Sequence, residues 1–481
     1  MNLRYLLWIF LCFFSLSTKS QSLVKGQVTD SSTGDPIPFV NIIIVDLAKG
    51  TVSNLGGEFN FKLPENAQDQ MEVVFSHIGY ESLRLVVAEL KDSPISITLD
   101  PSDYELNQAI VLDFDPKKII ERAQANLKNT QYGKPHEVEV FYRELIWVND
   151  SIQGLARAKG YLHSEGYQQR HSNKPSTSGD VYNFMAFDQI QKSEYGILTT
   201  MTGRPRSAVG DLIFPSLIYR LWDFKINWFD YELLGGRKIG DREVYVLAIK
   251  AKNGGVKNKA NQWGYSHYGL LEEAVFYIDQ EDYGVHMMEL LQNFPSEKRV
   301  NMNVGQTYSQ KSREGVVKFR RDQEGKYFFT YANYTSRYTD FGYETEENPT
   351  IREVKEFAEL YAMQFDMKVL SNEELSEKYY APIVGTIPDR TISHHPDLYN
   401  GWIFIVGKPR YNKEFWGDFD YPAYSGEKQL EIQLAKQKPL DDQFQQFRNN
   451  QFYLLPILRR RHGLRENFWN RTALYQHPAE Y

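Results

Sequence analysis

Two stretches place a histidine and a glutamate three residues apart, His136-Glu137-Val138-Glu139 and His286-Met287-Met288-Glu289. That spacing serves a zinc site when a third ligand arrives from elsewhere, since imidazole and carboxylate both bind the ion well. Both stretches read as β-strand, however, and residues three apart on a strand point to opposite faces. His136, Glu139, His286 and Glu289 are therefore candidate metal ligands only where a bulge or turn intervenes. Otherwise they are polar strand positions. No His-Glu-x-x-His helix occurs in the chain.

A third cluster, His394-His395 followed by Asp397, lies in a loop that also carries Asp389 and Arg390. Adjacent histidines diverge in extended chain, but a loop could turn one toward Asp397. These three residues are the candidates for metal or acid–base chemistry, and with them for a hydrolase. The acidic turn at residues 279–282 lacks the spacing of a calcium loop. Neither a G-x-S-x-G elbow nor a phosphate-binding glycine loop appears. No cofactor is expected. Trp222, Trp228, Trp263, Trp402, Trp416 and Trp469 could stack on sugar rings, although such rings more often fill a core. Arg459, Arg460, Arg461 and Arg465 follow a Leu/Ile run. They read either as a solvated tail or as a contact for anionic lipid.

The chain that must position these residues has 481 of them, 42% hydrophobic and 14% aromatic, with net charge −7 and one cysteine. At roughly 150 residues per domain that allows about three domains. One cysteine rules out a disulfide scaffold, and the aromatic content rules out a collagen-like or disordered chain. The charge gives no general attraction to nucleic acid, which is not expected as a partner. Residues 1–20 read as a secretory signal: Arg4 precedes an apolar core at residues 6–16, and Thr18 and Ser20 stand before a cut ahead of Gln21. The core is too short to span a bilayer. Cys12 lies within it, so the exported chain is expected to lack cysteine and to be held by packing alone. No later segment reads as a spanning helix, and residues 476–480 before Tyr481 lack the alternation of a barrel strand.

From residue 22 to about 99, strand candidates alternate with turn formers, at residues 23–29, 38–46, 51–53, 58–62, 71–76, 81–87 and 95–99. Asn54-Leu55-Gly56-Gly57 is a strong hairpin signal. Seven short strands at this spacing predict a small antiparallel sandwich. Lys25-Gly26-Gln27-Val28, then Gly34 to Ile42 (GDPIPFVNI), Gly50-Thr51 with Asn54 to Phe59, and Ile78-Gly79-Tyr80 resemble the carboxypeptidase regulatory-like domain. The resemblance implies a transthyretin-like β-sandwich, frequent in exported proteins of the Bacteroidota, an accessory module without peptidase chemistry. Asn54 stands where that turn often carries Asp, and both tolerate left-handed geometry.

Residues 115–129 have helical spacing at Ile119, Ile120, Ala123 and Leu127, with Pro116 near the first turn. A β-rich region follows from residue 138 to about 343, with hairpins around residues 279–284 and 322–325. This succession, and residues 275–290 most of all, resembles the half-barrel of lipoprotein-carrier-like periplasmic proteins. Phe141-Tyr142-Arg143-Glu144 after the helix resembles Bacteroidota proteins bearing the same N-terminal module. Residues 352–370 fit strand or helix equally. Residues 401–407 read as a short buried strand, and 429–448 as helix broken by Pro439.

The expected organisation is a signal at 1–20, the sandwich at 22–103, a linker with an amphipathic helix at 104–132, a half-barrel-like antiparallel domain at 133–345 and a mixed region at 346–481. The fold class is mainly β with a few helices. The expected function is an exported, non-catalytic binding or assembly protein of the periplasm or outer membrane, with an apolar ligand in the second domain. Its partners would be envelope proteins, lipid or glycan. The alternatives are a hydrolase using His394, His395 and Asp397, and a glycan-binding protein.

Overall fold

The computed structural model describes residues 23–47, 49–91, 94–102, 115–133, 136–164, 183–193, 226–252, 273–293, 299–301, 306–343, 351–366, 403–406, 411–419, 421–422, 424, 426–436 and 438–445. The first unit is the expected seven-stranded sandwich. Its strands are β1 (Leu23–Asp30), β2 (Asn41–Ile44), β3 (Lys49–Val52), β4 (Glu58–Lys62), β5 (Glu72–Ser76), β6 (Leu83–Val86) and β7 (Ile95–Leu99). They form a three-stranded sheet, β4-β1-β7, and a four-stranded sheet, β3-β2-β5-β6. Alternation along each strand turns Val24, Val28, Phe59, Phe61, Ile97 and Leu99 of one sheet against Ile42, Ile44, Val73 and Phe75 of the other.

Two turns fix this sandwich. The Asn54 side chain accepts the backbone N–H groups of Gly56 at 2.8 Å and Glu58 at 2.9 Å. Gly57 follows at φ 72°, where an added Cβ would lie 2.4 Å from the Val28 carbonyl, so only glycine fits. One pairing corrects the purely antiparallel expectation: β7 runs parallel to β1, with Val28 opposite Ile97. The chain crosses from one sheet to the other after β6 through a short 3-10 turn at Val87–Leu90, so no hairpin dictates the direction of β7.

Next come α1 (Lys117–Thr130) and β8 (His136–Val148), β9 (Ser151–Ser164) and β10 (Asn183–Lys192), then β11 (Phe229–Ile239), β12 (Arg242–Ala251), β13 (Glu273–Asp279) and β14 (Val285–Asn293). The remaining strands are β15 (Arg299–Asn301), β16 (Gln306–Arg321), β17 (Tyr327–Tyr343), β18 (Arg352–Asp366) and β19 (Ile403–Val406). Among the described residues they form a sheet in the order β11-β12-β13-β14-β16-β17-β18-β8-β9-β10-β19, with β15 on β16. The sheet is open, not a closed barrel, and antiparallel except for the parallel β10–β19 pair. The stretch at 352–370 that sequence left between strand and helix contains β18, which sits between β17 and β8. The large sheet therefore continues past residue 345. Three short helices end the described chain: α2 (Lys413–Asp418), α3 (Glu427–Ala435) and α4 (Leu440–Gln445), the last two separated at Pro439.

Both faces of the sheet are covered. On one, α1 lays Ile119, Ile120, Ala123 and Leu127 against Val140, Tyr142, Leu247, Phe276, Ala332 and Leu360, all buried. On the other, Phe39 and Val52 of the sandwich and Tyr411, Trp416, Leu434 and Phe444 of the C-terminal region join Phe141, Leu145, Tyr331, Phe357 and Tyr361. The sandwich also touches the end of β11: Gly79 N–H donates to the Lys238 carbonyl at 3.1 Å, and Arg84 pairs with Asp241 at 3.0 Å. Among the described residues no helix is long and apolar enough to cross a membrane.

Candidate binding cleft and the placement of predicted site residues

Strand alternation separates the first candidate pair. His136 is buried on the α1 face, with its ring edge-on to Tyr132 at 5.2 Å. Glu139 turns to the opposite face, where its carboxylate lies 3.5 Å from the Lys159 ammonium. The second pair is separated as well, although a bulge does intervene between Tyr277 and Ile278 in the β13–β14 pairing. The His286 ring lies 3.0 Å from Asp279 and 3.2 Å from the Tyr327 hydroxyl. Glu289 instead accepts from the Tyr277 hydroxyl at 3.3 Å.

The acidic turn is spoken for by cations. Asp279 takes a two-pronged contact from Arg242, and Asp282 accepts from Arg321 at 2.7 Å and from Tyr327 at 2.9 Å. Burial works against the Asp279 charge, yet His286 and Arg242 together hold its carboxyl far below the usual range. No group of three or more His, Cys, Asp or Glu among the described residues could hold a metal ion. His394, His395, Asp397, Arg459, Arg460, Arg461 and Arg465 lie outside the described residues, as do residues 1–20. The side chains of Trp222, Trp228, Trp263, Trp402 and Trp469 do so too, while Trp416 is buried edge-on between Phe415 and Phe419.

The sandwich face of the sheet holds a charged network for which the sequence assigned no role. Arg143 is 0% exposed and pairs with Glu359 across β8 and β18. Its guanidinium lies 4.9 Å from the Phe141 ring centre and also reaches the Pro422 carbonyl. Arg157, its cross-strand neighbour on β9, holds Glu427 and Glu431 of α3. Tyr331 and Tyr361 donate to Glu359 at 3.2 and 3.0 Å. Burial pushes the Glu359 carboxyl up against the pull of Arg143. The signal in the sequence was a charge inside an apolar run, Phe-Tyr-Arg-Glu-Leu on β8 and Glu-Phe-Ala-Glu-Leu on β18. A charge there persists only when paired. This network pins the C-terminal helices to the sheet.

Where sandwich, sheet and α2 meet, a cleft of about 530 Å³ opens. Thr51, Asn60 and Phe61 line it from the sandwich, Glu139 from β8, Met363 from β18, and Phe415 and Phe419 from α2 and its end. The Phe415 and Phe419 rings stack at 4.9 Å. Lys62 also lines the cleft, and its ammonium donates to the Asp418 carbonyl at 2.6 Å, tying α2 to the sandwich. The result is an aromatic wall with a few dispersed polar groups, of a size and at a junction where ligand sites commonly lie. A smaller pocket of about 230 Å³ on the same face is lined by Leu234, Arg237, Val246, Val275, Tyr277 and Glu289.

A TonB-dependent receptor, P3 of Formosa agariphila, is 29% identical over 118 residues, which are 24% of this chain and 11% of the receptor. The chain thus matches only a small part of that relative's length. Among solved structures, a DUF1329 family protein from Desulfovibrio piger aligns with 9% identity and TM-score 0.26, covering 54% of this chain and 96% of that one. A LolA superfamily protein from Nitrosomonas europaea aligns with 12% identity and TM-score 0.20, covering 54% and 96%. The family model of the CarboxypepD_reg-like domain matches residues 24–111, the stretch that holds the sandwich. Residues 24–111 are a carboxypeptidase regulatory-like domain.

Proposed function

We propose that the chain is an exported, non-catalytic binding or assembly protein of the bacterial envelope, and that a small amphiphilic ligand seats in the cleft between sandwich, sheet and α2. The cleft itself carries this reading: it is the larger of the two pockets described, and three parts of the chain build it. Its Phe415 and Phe419 rings offer apolar surface, while Thr51, Asn60 and Glu139 offer hydrogen-bond partners. That pairing suits a sugar, which makes glycan the second reading of the ligand. The leader-like N-terminus and the similarity to part of a TonB-dependent receptor support an envelope setting.

An apolar ligand on the α1 face is less well supported. Ile119, Ile120, Ala123 and Leu127 pack into one buried cluster with sheet residues of that face, so α1 would have to lift to admit a ligand beneath it. Native mass spectrometry of protein purified from the envelope tests the proposal. The expected result is a population heavier than the polypeptide by a non-covalent, small-molecule mass. Bare polypeptide throughout would count against it.

A further inference from the structure

Lys318 is an unusual residue to find at a junction between two units. It is 4% exposed, on the face of β16 that meets the sandwich. Its ammonium donates to the Phe39 carbonyl at 2.6 Å and lies 5.3 Å from the centre of the Phe39 ring. Phe39 belongs to the sandwich and is held at φ 61°, a left-handed conformation that costs a non-glycine residue strain. Ser53 maintains it: Phe39 N–H donates to the Ser53 carbonyl at 3.0 Å, and Val40 N–H to the Ser53 hydroxyl at 2.8 Å. The Phe39 ring then stacks on Tyr331 at 4.7 Å. One sandwich residue therefore both accepts from the lysine and roofs it.

Among the described residues the roof offers the amine one hydrogen-bond acceptor. An ammonium has three donors, and the Phe39 carbonyl takes one. Glu289 on β14 attracts it without forming a close pair and is itself hydrogen-bonded to Tyr277 on β13. Tyr331 stands directly opposite on β17 and leans on Glu359 of β18. His77, after β5 of the sandwich, faces it as well and feels its charge. We propose that Lys318 makes the seating of the sandwich on the large sheet a proton-linked clasp, in which protonation of the roofed amine favours release of the sandwich.

The direction follows from burial. Desolvation pushes the Lys318 ammonium from 10.5 down to about 7, against the pull of Glu289. The released amine, in water, would titrate near its ordinary value. Docking is therefore least penalised at high pH, and the penalty grows as pH falls through the window between those two values. Below about 7 this group adds no further dependence. His77 is lowered to about 3 by burial and by Lys318, so it stays neutral across the same window. Burial raises Glu289, but from a carboxylate range well below the window. Release would open the cleft, because Thr51, Asn60 and Phe61 leave with the sandwich. The clasp itself does not depend on any ligand.

The test reads undocking by thiol labelling of the full chain carrying Cys12→Ser. Val52→Cys places a buried reporter between sandwich and sheet, and Val73→Cys places one inside the sandwich core. From about pH 9 to about pH 7 the labelling rate at position 52, corrected for thiolate, should rise on the order of tens of fold. Position 73 should stay protected. Lys318→Met, which keeps the stem without the charge, should label slowly and evenly across pH. Glu289→Gln should leave the onset of the rise unchanged and extend it below about pH 7, since only the docked amine loses its counter-charge. An unchanged slope in Lys318→Met, fast labelling of that variant at every pH, or labelling of position 73 in step with position 52 would each overturn the clasp.

Discussion

Arg143 shows how much one side chain can carry in this protein. Fully buried beside Glu359, it also touches the segment that brings α3 to the sheet. Arg143→Met should cost about 3–5 kcal/mol in a urea titration, because Glu359 would remain buried without its cation. Replacing Glu359 by Gln in the same chain should recover much of that loss. Asp30 makes a different prediction. Hydrogen bonds from Ser32 and Tyr80 lower its carboxyl from 3.8 to about 2, so the folded state takes up the proton less readily than the unfolded one. The stability it contributes is fully present above the ordinary value and is lost as pH falls toward the lower one. In a plot of Tm against pH, Asp30→Asn should flatten the acid limb across that interval. Residue roles of this kind were only partly legible in the sequence. The Ile78-Gly79-Tyr80 signature marked Tyr80, but nothing in one dimension could show its hydroxyl 2.8 Å from Asp30, fifty positions earlier. His286 and Glu289 stood out by spacing, and each turned out to have its own separate partner.

Elements were far more legible than residues, because period and turn chemistry are local. The Asn-Leu-Gly-Gly hairpin, the seven strands of the sandwich and the helical spacing before the sheet all follow from patterns a few residues long. The parallel β1–β7 pair did not follow, since it depends on a crossover between sheets. Nor did the central place of β18: its pairing with β8 joins segments some two hundred positions apart. α1 is the element whose packing is most directly testable. Leu127 lies under it at 2% exposure, within the cluster that covers one face of the sheet. Leu127→Ala should therefore lower stability by about 2–5 kcal/mol, measured by denaturant midpoint, through lost burial and the cavity left behind. A change below about 0.5 kcal/mol would mean that the helix is not seated as described.

At the scale of the whole molecule, the sandwich, the large sheet and the C-terminal helices share one face, and their junction leaves a cleft rather than a sealed seam. The aromatic content that first suggested core material serves both purposes: Phe141, Tyr331 and Tyr361 fill the interface, while Phe61, Phe415 and Phe419 wall the cleft. A ligand held in this cleft in the envelope is directly measurable. Native mass spectrometry should compare the protein purified from the envelope with a Met363→Trp variant, whose indole would occupy the cleft from β18, after confirming that both melt alike. The expected result is a bound small-molecule mass on the first and its loss from the second. A bound mass equally present on both, or on neither, would contradict it.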